Sequence, residues 1–237
     1  MSRGRTYLLV HGAWFGGWVW QKVAEGLHAA GHTVHAPSLT GLGDRKHLLR
    51  SGIDLETHAT DIVNLIEMED LRQVVLVGWS YGGMVTTDVL ARVPQRVASM
   101  VYLDAFAPER GRSTASYVTR NNTEAMMALV AQGKDIPPIS IPSLGISDPA
   151  MVEHAMARVS PHPVMTFLQP SSALPQRPDI PHTYVLAGAY VDTSPTFRQF
   201  HEVFEKDPRA DSVVMNTGHA MMLTDVEATV DLLRNVR

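Results

Sequence analysis

The sequence contains no cysteine, and charged residues make up only 19% of its 237 positions. Without cysteine the chain has no disulfide, no thiol nucleophile and no thiolate metal site. Its basic residues are scattered without a run or a stripe, and the formal net charge is −4. These features argue against nucleic acid and anionic membrane surfaces as partners, so we expect small molecules as ligands.

Long hydrophobic runs are also missing near the N-terminus. The apolar stretch TYLLV ends at His11 and Gly12, which makes it too short for a signal peptide or a membrane span. We expect a reducing cytoplasm as the location, although a protein without cysteine tolerates any compartment. A chain of 237 residues that is 45% hydrophobic fits one compact core, either as a monomer or as a homodimer.

What the sequence does contain is an alternation of apolar runs with helical patterns. Runs of Val, Leu and Tyr without polar alternation predict strands that are buried on both faces, as in a parallel sheet. Strong runs lie at 6–12, 74–80 and 98–105, and weaker ones lie at 32–38, 182–188 and 211–218. The stretches between them carry apolar residues three or four apart, which predicts helices. We expect an α/β fold with a mostly parallel open sheet of about six strands flanked by helices.

The alternation stops between residues 107 and 181, after the predicted strand that ends near Asp104. This stretch is rich in Pro, Ser and Met, and it has two amphipathic helical pieces but no convincing buried strand. It is too long for an ordinary loop, so we expect a helical cap at 107–181 and a core formed by 1–106 and 182–237. A cap without a functional role is the alternative.

Ser80 lies in the stretch GWSYGG, between a predicted strand and a predicted helix. Functional groups collect at the carboxyl ends of the strands in an open parallel sheet. A serine on a tight turn from strand to helix needs small neighbours, which Gly78, Gly82 and Gly83 supply. We therefore interpret Ser80 as a nucleophile, the alternative being a hydroxyl in a glycine-rich connection.

A serine hydroxyl needs a nearby base to act as a nucleophile at neutral pH. Among the eleven histidines, His219 stands apart because it follows the last predicted strand in MNTGHAMML. That is the position of the base when a triad follows the chain order serine, acid, histidine. The other histidines, His58 and His162 among them, lack such a context, and we expect solvated or structural roles for them.

Two aspartates are candidates for the acid that orients the histidine. Asp192 follows the penultimate predicted strand, and Asp104 ends the strand that comes after the nucleophile helix. The fold allows an acid from either strand end, and we prefer Asp192. Backbone amides must also stabilise the oxyanion, and the turn HGAWFGGW offers the N–H of Ala13, with the N–H of Tyr81 as a second donor. A phosphate-binding loop is disfavoured there because the Lys-Ser/Thr and GxGxxG patterns are absent.

These motifs resemble the α/β-hydrolase superfamily. More narrowly, the chain resembles the group of plant methylesterases, plant hydroxynitrile lyases and bacterial carboxylesterases, some of which degrade pyrethroids. The similarity is good over residues 6–106, moderate over 182–237 and poor through the cap. The resemblance implies Ser80 as nucleophile, His219 as base, Asp192 as acid, and Ala13 and Tyr81 as the oxyanion hole. Members often carry Ile-Pro a few positions after the acid, whereas the run here is VDTSP, so Asp104 stays open. The lyases place a threonine and a lysine where this chain has Gly12 and Ala220, which disfavours cyanohydrin cleavage.

Together, the motifs and the resemblance predict a serine carboxylesterase that needs no cofactor or metal and forms an acyl-enzyme. We expect small to medium apolar or aromatic esters, in a pocket roofed by the Met-rich cap and flanked by Trp14, Phe15 and Trp79. A lactonase, an amidase or a carbon–carbon bond hydrolase with the same triad is the enzymatic alternative. A ligand receptor that keeps the fold is the alternative from another class.

Overall fold

The computed structural model describes residues 4–237. Its centre is a six-stranded sheet of order β2-β1-β3-β4-β5-β6 in which every adjacent pair is parallel. The strands are β1 (Thr6–Val10), β2 (Thr33–His35), β3 (Val74–Trp79), β4 (Val97–Leu103), β5 (His182–Ala187) and β6 (Ala210–Met215). The predicted α/β architecture and its parallel sheet are confirmed.

Helices connect these strands and cover the sheet. They are α1 (Gln21–Ala29), α2 (Leu55–Met68), α3 (Gly82–Arg92), α4 (Arg120–Ala131), α5 (Pro149–Met156), α6 (Met165–Leu168), α7 (Pro195–Glu205), α8 (Met221–Thr224) and α9 (Val226–Asn235). Within the core α1 packs on α9, α2 packs on α3, and α7 packs on β5 and β6. The start of α2 shows how local sequence sets these bounds, because the Asp54 side chain accepts the Thr57 amide at 2.9 Å in a capping box.

Burial follows position in the sheet. Every residue of β3 and β5 is buried, whereas the edge strands β2 and β6 are mostly half-buried. Full burial of each Val or Leu stabilises the fold by about 1.5 to 3 kcal/mol, so the central strands hold the sheet together. Their carboxyl ends therefore form a rigid edge.

The glycines around Ser80 allow close approach of α3 to this edge. A Cβ on Gly82 would lie 2.5 Å from the Val10 carbonyl oxygen, and one on Gly83 would lie 2.1 Å from that of Phe106. A Cβ on Gly78 would lie 2.5 Å from Thr86 Oγ1. Any larger side chain would push α3 away from the ends of β1 and β4.

Residues 107–181 contribute no strand to the sheet and include α4, α5 and α6. Asp88 of α3 connects the end of this segment to the core, because its carboxylate accepts hydrogen bonds from the Ser171 hydroxyl and the Ser172 amide. We call residues 107–181 the cap, and the division into cap and core remains a prediction. In the described range 4–237, none of the helices has the length and apolarity that crossing a membrane requires. The cytoplasmic location likewise stays a prediction.

Candidate active site

Ser80 occupies the tight turn between β3 and α3. Its φ of 54° lies in the left-handed region, which costs a non-glycine residue about 1 to 3 kcal/mol. Two hydrogen bonds tie this turn to the end of β4: the Ser80 amide donates to Leu103 O at 3.3 Å, and the Phe106 amide donates to Ser80 O at 3.1 Å. The strained serine is thus fixed to the neighbouring strand.

His219 contacts Asp104 at the end of β4. Its Nδ1 lies 2.6 Å from Asp104 Oδ2, and both side chains are almost completely buried. The other carboxylate oxygen, Oδ1, accepts the Ala187 amide at 3.1 Å. A buried carboxylate is costly unless it is paired, and here both oxygens have donors. This arrangement orients the imidazole, with Nδ1 turned to the carboxylate.

The preference for Asp192 as the acid was wrong in this structure. The Asp192 side chain is 98% exposed and faces Arg198, with 3.5 Å between Oδ1 and Nη2. The segment that follows β5 presents aromatic rings to the histidine instead, because Tyr190 and Phe197 stack on His219 with centroid distances of 4.7 and 5.1 Å. The alternative left open by the sequence, Asp104, is the aspartate that contacts His219.

Two further contacts position the loop of His219. The indole Nε1 of Trp79, the residue before Ser80, donates to His219 O at 2.8 Å. From the cap, Gly145 approaches Gly218 so closely that a Cβ on Gly145 would lie 2.8 Å from Gly218 Cα. The loop of His219 is therefore held by Trp79 at the end of β3 and by Gly145 of the cap.

The predicted oxyanion residues lie beside Ser80. A Cβ on Gly12 would lie 3.0 Å from Ser80 Cβ, so the turn after β1 passes directly over the serine. His11 supports this turn: its Nε2 accepts the Leu39 amide at 3.0 Å, and its Nδ1 donates to Gly12 O at 2.8 Å. Among residues 4–237, the amides of Ala13 and Tyr81 have no hydrogen-bond acceptor. Two adjacent free amides are what an oxyanion hole needs.

The hydroxyl of Ser80 and Nε2 of His219 are not joined by a hydrogen bond within the described residues. Their connection runs through Trp79 and through the end of β4, as described above. Hydrogen bonds between a nucleophile and its base are often long in structures without substrate, and they tighten when substrate binds. The framework around Ser80 and His219 is therefore held by hydrogen bonds within the protein.

Comparison with known proteins decides the family. The model of the alpha/beta hydrolase family matches residues 7–232. The chain belongs to the α/β-hydrolase family. A carbendazim hydrolyzing esterase from a Nocardioides species is 36% identical in an alignment 234 residues long, which covers 92% of this chain and 93% of that protein. Salicylic acid-binding protein 2 of Nicotiana tabacum is 32% identical over 123 residues, 52% of this chain and 47% of that one.

The solved structures show the same fold. An extracellular α/β-hydrolase from a Paenibacillus species superposes with a TM-score of 0.79 at 22% identity, covering 98% of each chain. Methylesterases and a hydroxynitrile lyase of Arabidopsis thaliana also match in sequence, and pyrethroid hydrolases match in structure. The predicted resemblance and the predicted enzyme class, an ester hydrolase of the α/β-hydrolase family, are confirmed at this level.

The aromatic residues expected to flank the pocket of this α/β-hydrolase are packed against other side chains, and their part in a pocket stays a prediction. Phe15 and Trp79 are only 1% exposed and pack against each other in the core. Trp14 is half-buried and packs on the cap, where it contacts Phe167. Several cap methionines point to solvent rather than into a pocket, namely Met127, Met156 and Met165. The sequence pattern could not separate these outward positions from inward ones, because the cap helices are short and weakly amphipathic.

A cleft of about 930 Å³ lies between α3, α7 and the cap. Its walls include Leu90, Arg112, Arg177 and Val203, and none of the site residues described above lines it. The cleft is therefore separate from the site around Ser80.

Proposed function

We propose that this chain is a serine carboxylesterase that hydrolyses small to medium apolar or aromatic esters through an acyl-enzyme. The observation that carries the proposal is the 2.6 Å contact between His219 Nδ1 and the buried Asp104, at the end of the strand next to Ser80. This contact keeps the proton on Nδ1, so Nε2 is the atom that accepts the proton of Ser80.

The reaction follows from these positions. Ser80 Oγ attacks the ester carbonyl carbon while Nε2 of His219 takes the hydroxyl proton. The carbonyl oxygen becomes an oxyanion that accepts the amides of Ala13 and Tyr81, and the N-terminal end of α3 favours the negative charge. His219 then gives its proton to the departing alcohol, which leaves an acyl group on Ser80. Water attacks this acyl group with His219 again as base, which releases the acid and restores the serine.

The residues around the site support apolar substrates. Tyr190 and Phe197 cover the faces of the His219 ring, and both are less than 10% exposed. On the cap side, Ile141 and Leu144 are buried near the contact between Gly145 and Gly218. These side chains offer dispersion contacts and no charge, which favours apolar acyl or alcohol groups. The name of the Nocardioides relative, an esterase, agrees with this class of reaction.

The test combines a covalent probe with a substrate panel. A fluorophosphonate probe should label the wild-type chain once and leave Ser80→Ala unlabelled. p-Nitrophenyl esters should be turned over with a burst of p-nitrophenol equal to the enzyme concentration when deacylation is slow. Equal labelling of Ser80→Ala would overturn the nucleophile, and faster turnover of lactones or anilides than of esters would overturn the ester assignment.

A further inference from the structure

His162 is a completely buried histidine of the cap that the proposed reaction does not use. Its backbone exchanges two hydrogen bonds of 2.9 Å with Ile136, so the two residues form a small antiparallel bridge within the cap. The ring lies among four other rings, and its centroid is 4.8 to 6.0 Å from theirs: Trp14, His58, Tyr81 and Phe167. Two of these residues, Trp14 and Tyr81, lie at the proposed oxyanion hole, so His162 is in contact with it.

Trp14 follows Ala13 directly and is fixed to the cap through three of its groups. Its amide donates to His162 Nδ1 at 3.2 Å, and its carbonyl accepts the Ser160 amide at 3.1 Å. Its indole Nε1 donates to Ile136 O at 3.3 Å. The Trp14 backbone has a φ of 67°, a strained value for a residue with a side chain. Neighbouring contacts must therefore impose this conformation.

The hydrogen-bond partners of His162 determine which of its ring nitrogens carries the proton. The Trp14 amide can only donate, so His162 Nδ1 carries a lone pair and the proton lies on Nε2. That N–H donates to Thr166 Oγ1 at 2.8 Å, and the threonine hydroxyl donates to Pro163 O at 2.6 Å. Burial, together with the nearby His58 and His11, lowers the pKa of His162 well below 6.5. The ring is thus neutral and keeps its acceptor throughout the neutral pH range.

The same ring contacts Tyr81, whose amide is the other proposed oxyanion donor. The two rings meet edge to face at 4.8 Å, and Tyr81 also stacks on Phe167 at 5.4 Å. Behind Tyr81, its hydroxyl donates to His58 Nδ1 at 3.0 Å, while His58 Nε2 donates to Thr40 O at 2.9 Å. His162 therefore touches both halves of the proposed oxyanion hole, as Phe167 does, but the described hydrogen bond between the Trp14 amide and the cap is made to His162.

We propose that His162 is a positioning residue that clamps the oxyanion hole from the cap. By accepting the Trp14 amide it fixes the peptide after Ala13, and by packing on the Tyr81 ring it holds the second donor. The amides then point at the oxyanion before substrate binds, which is where such donors stabilise the transition state most. The inference rests on the proposed function, because it assigns a role within that reaction.

The kinetic test uses two substitutions that separate the acceptor from the ring. His162→Phe keeps an aromatic ring but removes the acceptor, whereas His162→Asn places Oδ1 near the position of Nδ1. We expect His162→Phe to lower kcat by about 10- to 100-fold with KM changed less than about threefold, since misplacement of an oxyanion donor costs this much. Affinity for a trifluoromethyl ketone, which forms the oxyanion on Ser80, should fall by the same factor. His162→Asn should retain kcat within about fivefold of wild type.

Three results would overturn the clamp. A folded His162→Phe enzyme with wild-type kcat is one, and a change confined to KM, as expected for simple packing, is another. Equal losses in the Phe and Asn variants would also overturn it, because the acceptor would then not matter.

A second measurement is independent of turnover and of whether His162→Phe folds. The sequence has four tryptophans, so ¹⁵N-tryptophan labelling gives four backbone amide signals, of which one belongs to Trp14. The Trp14 amide should be protected from hydrogen exchange in wild type and in His162→Asn; exchange at the rate of an unprotected amide in wild type contradicts the clamp. Failure of the proposed function can be distinguished from failure of the clamp, because the wild-type enzyme would then not turn over esters at all.

Discussion

Asp104 and His219 are joined across the carboxyl edge of the sheet by a contact of 2.6 Å between Oδ2 and Nδ1. Asp104 directly follows β4, the strand next to β3, which leads to Ser80. Asp104 and Ser80 both have left-handed backbone conformations, with φ of 44° and 54°. Two backbone hydrogen bonds of the Ser80 turn reach residues Leu103 and Phe106 on either side of this aspartate. The relative positions of Ser80 and Asp104 are therefore set by neighbouring strands rather than by a flexible loop.

The indole of Trp79 should influence activity through one hydrogen bond. Trp79→Phe keeps a buried aromatic ring but removes the donor to His219 O, so we expect kcat to fall about three- to tenfold and stability to fall by about 1 to 2 kcal/mol. Trp20→Phe is the matched control, because Trp20 is equally buried and its Nε1 has no partner among residues 4–237. Steady-state kinetics should show a lower kcat for Trp79→Phe than for Trp20→Phe. An equal loss of kcat in the two variants would contradict the role given to Trp79.

The contact between cap and histidine loop can be tested with two glycines of similar backbone conformation. Gly145 and Gly111 have φ of 83° and 80°, so alanine at either costs about 1 kcal/mol in strain. Only at Gly145 would the new Cβ meet Gly218, whereas at Gly111 nothing described lies within 4 Å. We expect Gly145→Ala to lower kcat by about tenfold because it moves the His219 loop. Gly111→Ala should change stability alone; loss of activity in both variants would refute the contact.

Buried histidines should make the protein sensitive to mild acid. Burial lowers the pKa of His11 and of His58 to about 4, while histidine in an unfolded chain titrates near 6.5. Between these values the unfolded chain binds more protons than the folded one, so stability falls as the pH falls. Between about pH 4 and pH 6.5, each such histidine lowers the free energy of unfolding by up to about 1.4 kcal/mol for each unit that the pH falls. Above about pH 6.5 it has no effect on the pH dependence of stability. Urea denaturation from pH 7.5 to pH 5 measures the slope, and constant stability over that range would contradict it.

The sheet could be predicted because its central strands are continuous apolar runs, a pattern that requires burial on both faces. The strands β3 and β5 are buried at every residue, as the runs at 74–80 and 182–188 indicate. Ser80 and His219, the proposed nucleophile and base, could also be singled out from local pattern, since glycines and strand ends surround them. These features depend on short stretches of chain, which a sequence displays directly.

The acid could not be chosen in this way because its identity depends on which loop folds back over the sheet edge. The segment after β5 turns Asp192 outward to Arg198 and brings Tyr190 and Phe197 against His219. One signal in the sequence favours Asp104: it directly follows the apolar run MVYL at the end of β4, and an aspartate in such a place must find a partner. The proposed clamp by His162 cannot be predicted from the sequence, because a buried histidine in an irregular cap has no local pattern.

The measurement that tests the central claim most directly compares kcat for Asp104→Asn and Asp192→Asn. Asparagine keeps the size of the side chain but cannot hold the imidazole in the required tautomer, so Asp104→Asn should lower kcat by about four orders of magnitude. Asp192→Asn, at an exposed site, should stay within about twofold of wild type. A Ser80 enzyme that keeps its kcat in Asp104→Asn and loses it in Asp192→Asn would contradict the account.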